Sequence, residues 1–277
     1  MDKYKIVPGS VQETLTIPLY GRYVAQKEFP DLIYDPTARQ LIERIDYDFD
    51  KVYRNLSSTF GLYGALEVSQ REYDLEWEIK DYLKDHPQAS VVDMGCGLDN
   101  LFDRIDNGTC QGFNIDFEDV INARNEFLPP LPNEKNLVYD LNDTAWFEEI
   151  PHDKGVIFVA LGVFYYFTEK QVSKLFSEMA AYFKGGVLAF DTCNRKGLKL
   201  MLKTYLKDAE NKDLNRYFEG SDLDKIRSYS KDIQSVSSRS YMNGYRKLNG
   251  LKPVYRLLNR LSDSFVDMKI VKIKFRP

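Results

Sequence analysis

Between Ser90 and Asp191, short apolar runs alternate with longer stretches of mixed character. Five runs read as strands: Ser90–Met94, Gly112–Asp116, Asn136–Asp140, Gly155–Ala160 and Gly186–Asp191. Helical patterns lie between several of them. The clearest begins at Thr168, where Gln171 stands at capping-box spacing. Val172, Leu175, Phe176 and Met179 then recur at intervals of three and four, as one face of a helix requires. Alternation of this kind predicts an α/β fold with a doubly wound parallel sheet. From Met268 to Phe275 apolar and polar residues alternate, which predicts an amphipathic last strand exposed on one side.

Residues 10–88 read as helices, with no clear strand before Ser90. Asp35-Pro36 is a helix start, a capping acid followed by proline at the first helical position. Ala38, Leu41, Ile42 and Ile45 then share a face. A second helix is expected over Ser69–Lys84, ending before Pro87. Residues 1–88 are therefore expected to form a helical cap on a core of residues 89–277. After Asp191 the alternation stops. Residues 195–230 are charged and helical in pattern, with Ser221 and Asp224 at a cap spacing. They read as an insertion before the sixth strand, lying over a ligand crevice.

The chemistry starts at Val91-Val92-Asp93-Met94-Gly95-Cys96-Gly97-Leu98-Asp99, where a strand ends in an acid and a Gly-x-Gly turn. Glycine has no Cβ, so backbone amides here can approach a nucleotide-like ligand closely. The next strand ends in Asp116, nineteen residues after Gly97, the spacing of a carboxylate that grips a ribose diol. A nicotinamide site would carry a third glycine where Asn100 stands. S-adenosylmethionine carries no phosphate and needs only close backbone approach, a ribose acid and an adenine contact. Asp140, in Tyr139-Asp140-Leu141-Asn142-Asp143, supplies the last of these.

Composition narrows the class further. A net charge of −4 over 277 residues, with no basic block, argues against a nucleic-acid partner. No apolar run approaches the length of a membrane span and no leader is read at Met1–Lys5, so no membrane partner and a cytoplasmic location are expected. Cys96, Cys110 and Cys193 read as free thiols. His86 and His152 follow no metal spacing, so no metal is expected. The chain has no Gly-x-Ser-x-Gly elbow, which disfavours a serine hydrolase.

Several spaced motifs in order resemble the leucine carboxyl methyltransferase family, most closely its bacterial branch of small-molecule O-methyltransferases named after tetracenomycin polyketide biosynthesis. They are Val11–Arg22, Ile45–Phe49, Ser69–Asp74, Val91–Asn100, Asp116–Ile121, Asp140–Asp143 with Trp146, and Gly162–Phe167. The resemblance covers nearly the whole chain. It implies a class I, Rossmann-like S-adenosylmethionine-dependent methyltransferase fold with an antiparallel last strand and an added helical cap. It implies that Arg71 holds the methionine carboxylate, that Gly95 and Gly97 line the methionine end, and that Asp116 binds the ribose. Phe117 would pack on the adenine, Asp140 and Leu141 would meet its edge, and Ala160 would lie against the cofactor. Three departures stand out: Asn100 replaces threonine, Glu118 replaces proline, and Ala160-Leu161-Gly162 lacks the acid that the leucine carboxyl enzymes carry at this strand end.

The sulfonium of S-adenosylmethionine is already a good electrophile, so the protein's task is in-line alignment in a dry site, leaving S-adenosylhomocysteine. No catalytic residue is assigned, since neither histidine lies in a motif. The expected acceptor is a small-molecule carboxylate or hydroxyl, polyketide-like or another metabolite, in a pocket of Tyr20, Arg22, Tyr165 and Tyr166. Two alternatives stay open: a catalytically silent S-adenosylmethionine-binding protein, and a carboxyl methyltransferase of a peptide or protein C-terminus. The sequence does not distinguish a monomer from a homodimer.

Overall fold

Helix-start chemistry organises the N-terminal part. The computed structural model describes residues 3–6, 11–49, 54–205, 217–241, 244–245 and 250–277. Helix α1 spans Val11–Glu28 and α2 Pro36–Arg44. Asp35 caps α2, its Oδ1 accepting the Ala38 amide at 2.9 Å. Helix α3 runs Thr59–Asp85, ten residues earlier at its start than the periodicity predicts. Ser58 caps it by accepting the Gly61 amide at 3.1 Å, and glycines at 61 and 64 dilute the helical signal of its first turns. Two-residue strands β1 (Tyr4–Lys5) and β2 (Ile45–Asp46) pair in parallel, contrary to the expectation of no strand before Ser90. Two residues are too few to show a period.

Seven further strands form one sheet. They are β3 (Ser90–Met94), β4 (Gln111–Asp116), β5 (Glu134–Val138), β6 (Val156–Ala160), β7 (Val187–Thr192), β8 (Ile233–Ser240) and β9 (Lys269–Phe275). Their order is β5-β4-β3-β6-β7-β9-β8. The strands from β5 to β7 are parallel, and β9 runs antiparallel between β7 and β8. This is the doubly wound sheet expected, with its antiparallel last strand. Alternation along the strands feeds two apolar layers. Val91, Ile157, Val159 and Ala189 join Leu66, Leu75 and Ile79 of α3 on one side. Val92, Phe158 and Phe190 join Trp146, Phe176 and Phe183 on the other. The N-terminal helices thus share a continuous core with the sheet.

The remaining helices are α4 (Leu101–Ile105), α5 (Glu118–Phe127), α6 (Glu169–Tyr182), α7 (Arg195–Tyr205), α8 (Leu223–Arg227) and α9 (Pro253–Phe265). Both halves of the capping box at Thr168 and Gln171 are present at the start of α6. Within the expected insertion, α8 is capped by Asp222 rather than Ser221, through the Lys225 amide at 3.0 Å. The stretch 206–216 lies outside the described residues. Two expectations shift. The third sheet strand ends at Val138, opposite Asp116, so Asp140 sits in the turn beyond it. Strand β9 is only partly open to solvent: Lys272 reaches Glu78 of α3 at 2.7 Å, while Lys274 is exposed. Neither β8 nor α9 was legible, β8 because it is serine-rich and half exposed. Among the described residues no helix is long and apolar enough to cross a membrane.

Candidate functional site

Ligands of open α/β sheets bind beyond the carboxyl ends of the strands. Here the ends of β3 and β4 and the segment after β6 meet α1, α3 and α9 around a cavity of about 1400 Å³. The glycine turn forms its floor. Gly95 has φ +70°, and a Cβ there would stand 2.6 Å from Val163 Cγ2. Gly97, at φ +51°, donates its amide to Asp116 Oδ2 at 2.9 Å. The Phe117 amide donates to Asp116 Oδ1 at 2.8 Å. Burial raises the Asp116 pKa, and these two amides oppose that rise. The carboxylate is therefore pinned at the cavity edge with lone pairs left for a ligand hydroxyl. Phe117, Asp140 and Leu141 line the same end. Asp140 Oδ1 accepts the Asn142 backbone and side-chain amides at 2.9 and 2.8 Å.

At the opposite end of the turn, two buried polar atoms lack hydrogen-bond partners among the described residues: Arg71 Nε and Asp93 Oδ2. Both residues line the cavity. Arg71 Nη1 is held by Asp191 Oδ2 at 2.9 Å. Asp191 also accepts the Gly162 amide at 2.6 Å and the Tyr165 hydroxyl at 3.3 Å. Burial works against the Arg71 charge, but the Asp191 carboxylate more than compensates and keeps the guanidinium ionised. A cation and a carboxyl, each with an unmet bond, complement the carboxylate and ammonium of an amino-acid zwitterion. Asp93 and Asp191 are absent from the expected site. The acid just before the glycine turn was a signal for Asp93. Asp191 had only its strand-end position.

Asp93 also makes a testable electrostatic statement. Burial, aided by the Asp99 charge, pushes its pKa from 3.8 to about 8. A carboxyl raised in this way holds its proton in the folded state where the unfolded chain has lost it. The stability it lends is complete below about pH 4 and is lost as pH rises toward 8. Burial also pushes the Glu72 carboxyl up, while Arg22 and Arg104 pull it back. Asp93→Asn is therefore expected to raise the thermal midpoint of the ligand-free protein at pH 8 and to flatten its pH dependence. Calorimetric melts between pH 4 and 9 check this, and an unchanged slope would refute it.

The other expected site residues divide. Tyr166 lines the cavity and is half exposed. Tyr20 is buried away from it, stacked with Tyr23 and Phe49 at 5.8 and 5.2 Å. Tyr165 is buried under Asp191. Ala160 points into the core beside Phe158, because its neighbour Leu161 takes the cavity side. Arg22 lines the cavity, but its guanidinium is committed to Asp99 Oδ1 at 2.8 Å and the Leu98 carbonyl at 2.9 Å, with Glu72 and Asp35 nearby. Arg104 bridges Asp99, Glu72 and Glu76. These cations overcome the effect of burial and hold Asp99 at about 2. Arg22 thus fastens α1 and α3 to the glycine turn.

The wider end of the cavity is apolar, lined by Ile17, Phe60, Leu258, Leu261 and Phe265 among others. One carboxylate stands in it. Glu67, on α3, accepts the Tyr63 hydroxyl at 3.0 Å and the Ser262 hydroxyl at 2.7 Å, both on Oε1. Sequence reasoning missed this group, although Tyr63, Glu67 and Arg71 follow each other at helical i, i+4 spacing.

With this geometry in view, the comparisons define a class. The leucine carboxyl methyltransferase family pattern matches residues 16–180, and the chain belongs to that family. It is similar to the tetracenomycin polyketide synthesis O-methyltransferase TcmP of Streptomyces glaucescens, at 27% identity over 182 residues. That match covers 65% of this chain and spans 65% of the length of TcmP. It is also similar to the S-adenosyl-L-methionine-dependent methyltransferase dpfgK of Gibberella zeae, at 25% identity over 69% of each chain. Among solved structures, the plantazolicin methyltransferase BamL, crystallised with a triazolic desmethylPZN analog and SAH, has a TM-score of 0.52. The match covers 97% of this chain and 100% of that one at 14% identity, a likeness of fold.

Proposed function

We propose that this protein is an S-adenosylmethionine-dependent O-methyltransferase acting on a small, largely apolar acceptor. The observation that carries the reading is the arrangement around the glycine turn: two unmet buried polar atoms on Arg71 and Asp93, a carboxylate at Asp116 pinned by two amides, and largely apolar cavity walls. Arg71 would hold the methionine carboxylate and Asp93 the ammonium. Asp116 would accept the ribose hydroxyls, Phe117 would pack on the adenine, and Asp140 and Leu141 would meet its edge. When bound, the cofactor supplies a methyl group on a sulfonium, which needs little activation. The chain's own contribution is to align the acceptor with that methyl and to keep water out. The name of one relative, a polyketide synthesis O-methyltransferase, supports a polyketide-like acceptor.

Calorimetric titration with S-adenosylmethionine and S-adenosylhomocysteine tests this. Wild type is expected to bind both, and Asp116→Ala to bind each about a hundredfold more weakly, as for loss of a charged hydrogen-bond acceptor. Failure of wild type to bind either ligand would defeat the reading.

A further inference from the structure

Tyr63, Glu67 and Ser262 form a polar group in an apolar stretch of the cavity wall, beside Phe60, Leu258 and Leu261. Glu67 lies one helical turn from Arg71 on the same face of α3, about 6 Å along the axis. With Arg71 at the methionine carboxylate, Glu67 stands beside the amino-acid end of the cofactor. Its two oxygens differ. Oε1 accepts both hydroxyls, from Tyr63 at 3.0 Å and Ser262 at 2.7 Å. Oε2 accepts no hydrogen bond from the described residues, yet it is not sealed from the cavity. A neutral carboxylic acid sits in this way: its carbonyl oxygen accepts, and its hydroxyl oxygen keeps a proton to give. Burial pushes the Glu67 carboxyl above the ordinary range. The Ser262 and Tyr63 hydroxyls pull it back, the Asp263 charge of α9 pushes it up and the Arg71 charge pulls it down.

We infer that Glu67 works as a neutral acid, and that its Oε2 hydroxyl donates a hydrogen bond to an acceptor carboxylate. The inference rests on the methyltransferase reading above. Charge balance favours it. An acceptor carboxylate and the sulfonium neutralise each other, and a second ionised carboxyl beside them would be an unmatched charge in an apolar space. A donor at Oε2 also matches a carboxylate, which only accepts. A carboxylate needs no base before it attacks, and no histidine lines the cavity among the described residues. One acceptor oxygen forms the new O–CH₃ bond as the S–CH₃ bond breaks, and that electron pair returns to sulfur. The other oxygen becomes the ester carbonyl and keeps the hydrogen bond from Glu67. The products are the methyl ester and neutral S-adenosylhomocysteine. Glu67 selects and orients the acceptor and gives up no proton.

The test uses the full chain loaded with S-adenosylhomocysteine, with naphthoate, an aromatic carboxylate, as the probe. Calorimetric titrations between about pH 6 and 10, in buffers of different ionisation heat, count the protons taken up on binding. Wild type is expected to take up a proton with naphthoate above the Glu67 midpoint, its affinity falling by up to about tenfold per pH unit there. Glu67→Gln places an amide donor where the acid hydroxyl stands and carries no charge. It should take up no proton, hold an affinity flat with pH, and bind naphthoate more tightly than wild type at the alkaline end. Glu67→Leu removes the charge without offering a donor. It should bind about tenfold more weakly than Glu67→Gln, as for loss of one hydrogen bond to a charged group. Tyr63→Phe removes a donor that favours the ionised carboxyl, so it should move the uptake to higher pH. It serves as the test if the Glu67 variants do not fold. The inference is overturned by naphthoate that does not bind, by wild-type binding without proton uptake, by uptake retained in Glu67→Gln or unmoved in Tyr63→Phe, or by equal affinities of Glu67→Gln and Glu67→Leu. A wild-type protein that fails to bind S-adenosylhomocysteine would instead remove the methyltransferase reading itself.

Discussion

Arg71→Ala is expected to abolish measurable cofactor binding and to cost about 3–5 kcal/mol of stability, as breaking one side of a buried ion pair does. The Asp191 side chain is 1% exposed. Without the guanidinium it keeps the Gly162 amide and the Tyr165 hydroxyl, two neutral donors for a full buried charge. Tyr241, whose hydroxyl is buried near Asp191, offers no compensating charge. The two effects separate in a double variant. Arg71→Ala with Asp191→Asn removes both charges, so most of the stability should return while cofactor binding stays lost. Denaturant unfolding and calorimetric titration read the two quantities independently. Full binding by either variant would show that Arg71 is structural only, and full stability of the single variant would show that Asp191 tolerates isolation.

The parts of this site that were legible in the sequence are those built from consecutive residues. The acid, the Gly-x-Gly turn and Asp116 belong to strand–turn units whose geometry is local, so spacing alone places them. The Thr168 capping box is legible for the same reason. Arg22 looked like a substrate contact because nothing local shows that Asp99, Glu72 and Asp35 converge on it from separate elements. Tyr20 and Tyr165 failed similarly: an aromatic in a motif reads alike whether it faces a cavity or a stack. Asp191 and the Tyr63, Glu67 and Ser262 group depend on contacts across long sequence separations, 120 residues for Arg71 to Asp191 and 195 for Glu67 to Ser262. Charge alternation misled in part in β9, where Lys272 meets Glu78 of α3 while Lys274 faces water. The fold was readable because period and capping are local properties, and the pocket was only partly so because convergence is not.

Gly95→Ala is expected to destabilise the protein by about 2–5 kcal/mol and to weaken the cofactor site as well. Two separable terms make up the loss. A φ of +70° costs a residue with a Cβ about 1–2 kcal/mol. The new methyl would also stand 2.6 Å from Val163 Cγ2, closer than real side chains come, and overpacking of this kind costs about 1–3 kcal/mol. Val163 belongs to the segment after β6 that also carries Gly162 and Tyr166 on the cavity wall, so relief by movement of either backbone would disturb the site. Val163→Ala removes the obstructing methyls while leaving the dihedral term. The Gly95→Ala, Val163→Ala pair should therefore recover the steric part alone, with a coupling energy of about 1–3 kcal/mol in a double-mutant cycle of unfolding free energies. Full recovery would show that the turn tolerates a Cβ at this dihedral. Zero coupling would place the cost entirely in the backbone, and the requirement for glycine would then be conformational rather than one of close approach.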